Sequence, residues 1–100
     1  MDLSYIINHL GENRDEYYNA ITPPIAQTSN FMFKTVADFR KAFEDEKQVH
    51  LYSRGNNPTK KIVEQKIAAL EGTEDCLLTS SGVAAISTAI ISQLKAGDHV

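Results

Sequence analysis

The sequence predicts an α/β protein that opens a parallel sheet. Three observations carry the prediction. From residue 58 onward the signals run helix, strand, loop, helix, strand, the pattern of a parallel sheet with crossover helices. Before that, the adjacent Pro23 and Pro24 lie in a stretch of small polar residues and make it an extended arm rather than helix interior. The composition, 42% hydrophobic and 23% charged, is too apolar for a disordered chain.

Taken in order, Asp2 to Leu10 predicts a short helix with Leu3, Ile6, Ile7 and Leu10 on one face, stopped by Gly11. Residues 11–18 are polar and charged, and from Thr22 to Phe33 the chain reads as extended. Thr35 to Glu46 predicts a helix capped by Thr35, with Val36, Phe39 and Phe43 on its apolar side. Gln48 to Tyr52 alternates Val49 and Leu51 against His50 and Tyr52, the period of a strand. Ser53-Arg54-Gly55-Asn56-Asn57-Pro58 then breaks the chain. Asn57 suits a helix N-cap and Pro58 a first helical position. That helix continues through Ile62, Val63, Ile67 and Leu70 to a stop at Gly72. Asp75 to Thr79 predicts a strand, Ser80-Ser81-Gly82 a tight turn, Val83 to Leu94 a helix, and His99-Val100 the start of another strand. Ile86, Ile90 and Leu94 would face the sheet.

Charge and cysteine count exclude several functions. Ten Lys and Arg against 13 Asp and Glu leave a net charge of −3. That balance argues against nucleic acid as a partner and against a polybasic membrane segment. No apolar run has the length of a membrane span. One cysteine allows no disulfide framework, and Met1-Asp2-Leu3-Ser4-Tyr5 lacks the positive region of a secretory signal. The expectation is a soluble, cytoplasmic protein.

Two places could carry chemistry. At Ser80-Ser81-Gly82-Val83 a helix begins with free backbone donors and a favourable dipole, which together make an anion site. The competing reading is that Ser81 caps a helix and Gly82 serves a turn. No Gly-Lys-Ser/Thr or three-glycine fingerprint accompanies the turn, which argues against a nucleoside triphosphate or dinucleotide. In an extended Tyr52-Ser53-Arg54, residues 52 and 54 face the same way, so a hydroxyl and a guanidinium can converge on a phosphate; the competing reading is a surface Arg beside a partly buried Tyr. His9, His50 and His99 lack metal-ligand spacing, and no metal is expected. Cys76 reads as an inert buried thiol, and Asp98 as a turn former.

Tyr52-Ser53-Arg54-Gly55-Asn56-Asn57-Pro58-Thr59 resembles the Tyr-Ser-Arg-x-x-Asn-Pro-Thr signature of the cystathionine synthase/lyase family, the pyridoxal 5'-phosphate (PLP) enzymes of Cys/Met metabolism. Pro24-Ile25-Ala26-Gln27-Thr28-Ser29-Asn30-Phe31 is similar to its arm motif, and Ile67-Ala68-Ala69-Leu70-Glu71-Gly72 to its next segment. Thr79-Ser80-Ser81-Gly82-Val83-Ala84-Ala85-Ile86 is similar to its phosphate turn, and Ala96-Gly97-Asp98-His99-Val100 to the strand start that follows.

The resemblance implies the PLP-dependent transferase fold of type I. It implies an arm and cross-subunit segment over residues 1–57 and the start of the PLP-binding domain over 58–100. It implies PLP as cofactor, its phosphate held by the backbone of Ser81, Gly82 and Val83 and, from the neighbouring subunit, by Tyr52 and Arg54. It implies a homodimer or homotetramer with shared active sites. The implied reaction is elimination or replacement at the β or γ carbon of a sulfur-containing or homoserine-derived amino acid. Val83 departs from the family's common Met, but only its backbone N–H is needed. Leu51 replaces the acidic residue that some cystathionine-handling members carry before the Tyr, which favours a less polar substrate tail. No catalytic residue is expected within residues 1–100: Lys60, Lys61, Lys66 and Lys95 match none of the family's catalytic positions, which lie further along the chain. Two other readings stand beside this one: a non-catalytic anion-binding or interaction fragment derived from the family, and an unrelated α/β nucleotide binder.

Overall fold

A computed structural model describes all residues from Met1 to Val100. Four α-helices follow one another: α1 (Leu3–Asn8), α2 (Val36–Ala42), α3 (Pro58–Glu71) and α4 (Gly82–Ile91). A 3₁₀ turn, Arg14–Tyr17, lies between α1 and α2. The caps are those the sequence dictates. Asp2 accepts the N–H of Tyr5, Thr35 that of Asp38, Asn57 that of Thr59 and Ser81 that of Ala84. Gly72 ends α3 in the left-handed conformation (φ 67°), where a side chain would be strained. Asp98 shapes a turn as expected, accepting the N–H of Lys95 at 2.6 Å.

Three helices are shorter than their periodicity suggests. α4 ends at Ile91, three residues before Leu94. α1 closes at His9, before Leu10, and only Ile6 of its apolar face is buried. α2 stops at Ala42, so Phe43 to Glu46 lie outside it. Phe33, Phe39 and Phe43 still form an aromatic row, with centroids 5.5 and 5.0 Å apart.

The predicted strands are where sequence and structure part. Asp75 to Thr79 and His99-Val100 are irregular, and Gln48 to Tyr52 contributes one antiparallel bridge, Tyr52 with Asn30. A strand exists only when a neighbour completes its ladder, and nothing in residues 1–100 lies beside Asp75 to Thr79 to do so. Cys76 is accordingly half-buried rather than enclosed in a sheet. Of the residues expected to face a sheet, Ile86 and Ile90 are 64% and 47% exposed and Leu94 is half-buried.

Burial is sparse, with six residues of 100 enclosed, and half of them are polar: Glu12, Asn56 and Glu64 beside Ile6, Ala42 and Ala68. The radius of gyration is 16.6 Å, against about 13 Å for a compact domain of this length. What holds these segments together is therefore largely polar. α1 packs on α3, and Glu12 stands at that junction between Lys66 and Arg14. Lys66 also donates to the Ile7 carbonyl at 2.7 Å. Arg14 donates to the carbonyls of Asn8 (2.6 Å) and Ile21 (2.9 Å) and to His9 Nδ1 (2.7 Å).

Candidate functional site

The loop from Tyr52 to Thr59 divides its side chains between two tasks. Four of them build the loop. Ser53 donates to the Thr28 carbonyl, and its own N–H donates to Ser29 O at 2.9 Å. Asn56 is buried and donates to the carbonyls of Lys47 and Val49, both at 3.2 Å. Asn57 caps α3 with its oxygen, while its amide donates to Ala26 O (3.0 Å) and Ser53 Oγ (2.9 Å). Thr59 accepts the Ala26 N–H at 2.9 Å. The arm around residues 26–30 is thus sewn to the start of α3 by groups whose hydrogen bonds are used up inside the protein.

Tyr52 and Arg54 are left over from this arrangement, and both are exposed. The Arg54 guanidinium carbon lies 5.1 Å from the centre of the Tyr52 ring, a cation–π stack that holds the pair side by side. The four ion pairs of the molecule involve other residues, so the Arg54 charge faces solvent without a carboxylate. A cation stacked on an aromatic ring and free of acids is suited to a phosphate.

The second group sits at the start of α4. Ser81 caps the helix through its hydroxyl, 3.1 Å from the Ala84 N–H, and its carbonyl accepts from Ala85 and from Thr79 Oγ1. The N–H groups of Gly82 and Val83, ahead of the first helical hydrogen bonds, have no acceptor in the chain. A Cβ built on Gly82 meets no atom within 4 Å, so open space borders the backbone there. These donors carry no carboxylate among them, and the set fits a phosphate ester. No hydrogen bond, ion pair or ring contact joins the Tyr52–Arg54 pair to the Ser81–Val83 turn.

Three of the lysines are occupied structurally. Lys66 pairs with Glu12, Lys60 lies 3.4 Å from Glu64, and Lys61 lies 3.8 Å from Asp75. The residue that sequence reasoning missed is Glu64. It is buried and accepts the Leu78 N–H at 3.1 Å, tying α3 to the segment that leads into the α4 turn. The Lys60–Glu64 spacing of four was the one available signal.

Comparison with known proteins gives this geometry a family. L-methionine gamma-lyase of Treponema denticola is 39% identical over 92 residues, covering 92% of this chain and 23% of the relative. Among solved structures, a Campylobacter jejuni protein assigned as an O-acetylhomoserine (thiol)-lyase, carrying a pyridoxyl-lysine phosphate group, superposes with a TM-score of 0.87 at 28% identity. The match covers 98% of this chain and 24% of that one. Cystathionine gamma synthase of Xanthomonas oryzae, in complex with aminoacrylate and cysteine, superposes with a TM-score of 0.77 at 32% identity, covering 98% and 23%. The chain therefore spans less than a quarter of the length of these relatives. The family profile described as "Cys/Met metabolism PLP-dependent enzyme" matches residues 5–100, and the chain belongs to that family.

Proposed function

We propose that residues 1–100 supply the phosphate-binding elements of a PLP-dependent enzyme acting on sulfur-containing or homoserine-derived amino acids. The observation that carries the reading is the pairing, in a chain of this family, of two acid-free donor sets: the stacked Tyr52–Arg54 and the unpaired N–H groups of Gly82 and Val83. The segment 1–57 acts as arm and cross-subunit segment, and 58–100 as the beginning of the PLP-binding domain.

In this reading Gly82 and Val83 donate to phosphate oxygens at the positive end of α4, and the Ser81 cap keeps those donors parallel. Arg54 adds two charge-assisted bonds and Tyr52 a hydroxyl. Since the two sets do not meet within one chain, the pair serves the turn of a second subunit, in a cytoplasmic homodimer or homotetramer. Once bound, PLP supplies the electron sink for carbanions at the α and β carbons of the substrate. The residues present here anchor the cofactor and transfer no proton. Leu51, next to Tyr52, offers no charge to a distal amine and favours a less polar substrate tail.

The test is cofactor binding by the full-length protein. The parent should retain PLP through gel filtration, with a visible absorbance that borohydride abolishes. Arg54→Ala should weaken retention by about 1.5–3 kcal/mol, the value of a hydrogen bond to a charged group. A colourless, PLP-indifferent parent would reject the enzyme reading. An amino-acid panel scored for ammonia, oxo acid and thiol release then separates elimination from replacement.

A further inference from the structure

Glu64 is a carboxylate in an unusual place. It is 4% exposed, and its Oε1 accepts the Leu78 N–H at 3.1 Å while Lys60 Nζ lies 3.4 Å away. A buried charge is costly unless paired and hydrogen-bonded, and here Lys60 and Leu78 together meet that requirement. The contact joins residues 14 apart. The other link between α3 and this segment, Lys61 to Asp75, is longer at 3.8 Å and ends on an exposed carboxylate.

The position of the contact gives it its importance. Residues 75–79 have no strand partner in these 100 residues, so Glu64 is their one buried attachment. Leu78 precedes Ser81 by three residues, and the intervening Thr79 hydroxyl already bonds to Ser81 O at 2.9 Å. Asn57, the N-cap of the same helix, holds the Tyr52–Arg54 loop. Residues 57 and 64 are two turns apart, about 10 Å along a rigid rod. α3 thus carries both phosphate-seeking elements at a fixed spacing, and Glu64 is the peg for one of them.

We propose that Glu64 is a positioning residue for the cofactor phosphate. Its carboxylate, neutralised by Lys60, fixes Leu78 and through it the direction of the Gly82 and Val83 N–H groups. The proposal rests on the reading of the Ser81–Val83 turn as a phosphate site.

The experiment compares the full-length parent with Glu64→Gln and Glu64→Met. PLP release is followed by dialysis, and the bound phosphate by ³¹P NMR. Gln keeps an acceptor for Leu78 and should release PLP within about twofold of the parent, with its phosphorus resonance unmoved; Met removes the acceptor and should release PLP roughly tenfold faster, with a shifted resonance. If Glu64→Met does not fold, Glu64→Asp replaces it. Asp keeps the charge but withdraws the acceptor by one methylene, and should also move the resonance. Equal release and an unmoved resonance in all variants would overturn the positioning role while leaving the cofactor reading intact. A parent that takes up no PLP would overturn the cofactor reading, and this role with it.

Discussion

A side chain added at position 82 tests the phosphate reading at one atom. Gly82 is the first residue of α4, its φ lies outside the positive region, and a Cβ there meets nothing within 4 Å. Gly82→Ala should therefore leave folding unchanged or raise stability by up to ~1 kcal/mol, as alanine is the better helix former. The same methyl would occupy the space through which a phosphate oxygen approaches the backbone. The full-length variant should melt no lower than the parent yet bind PLP about 1–3 kcal/mol more weakly, because the N–H groups lose their acceptor. Unchanged affinity in a titration would show that Gly82 serves the turn alone. At this scale the candidate residues stood out in the sequence through the motifs they share with the family, not through their residue types alone. Glu64 did not, since a glutamate four residues after a lysine reads as a surface pair until Leu78 is seen beside it.

The elements differ in how far local rules determine them. α3 matches its sequence signals from Asn57 to Gly72 because an N-cap, an N1 proline and a left-handed glycine act within a few residues. The segment Asp75 to Thr79 has a strand's composition and no strand's partner, and pairing is a property of two segments that neither reveals alone. The α1–α3 junction was equally hidden, because Glu12 and Lys66 are 54 residues apart. That junction has a pH signature. The Lys66 hydrogen bond holds the Glu12 carboxyl below its ordinary value of 4.5; burial opposes this, and the charges of Lys66, Arg14 and His9 assist it. A carboxyl with a lowered folded pKa contributes stability that is complete above its unfolded value and is lost as pH falls through the folded one. The α1 junction should therefore hold at neutral pH and loosen below about pH 4.5. Glu12→Gln should cost about 1.5–3 kcal/mol at pH 7, the value of hydrogen bonds to a charged group, since Lys66 and Arg14 are partly exposed and keep their carbonyl partners. It should also flatten the acid limb. Limited proteolysis of residues 1–21 across pH 4–7 reads both effects, and a variant with the parent's acid sensitivity would refute the assignment.

Across the whole molecule, the two donor sets lie on one chain without touching. On the proposed phosphate-binding reading, mixing two defects decides which subunit's Arg54 serves which turn. Consider a dimer with one Arg54→Ala subunit and one Gly82→Ala subunit. If each loop served its own turn, both sites would carry one defect and neither would bind PLP normally. If each loop crosses to its neighbour, one site receives both defects and the other receives none. Differently tagged subunits, co-expressed and purified as the mixed dimer, should then bind half the parent's PLP with the parent's affinity, while each single-variant dimer binds all of it weakly. The open α4 face, with Ile86 and Ile90 exposed, makes the full-length protein the proper material for this mixing. A mixed dimer in which no site regains the parent's affinity would place Tyr52 and Arg54 at their own subunit's turn and remove the reason for a shared active site.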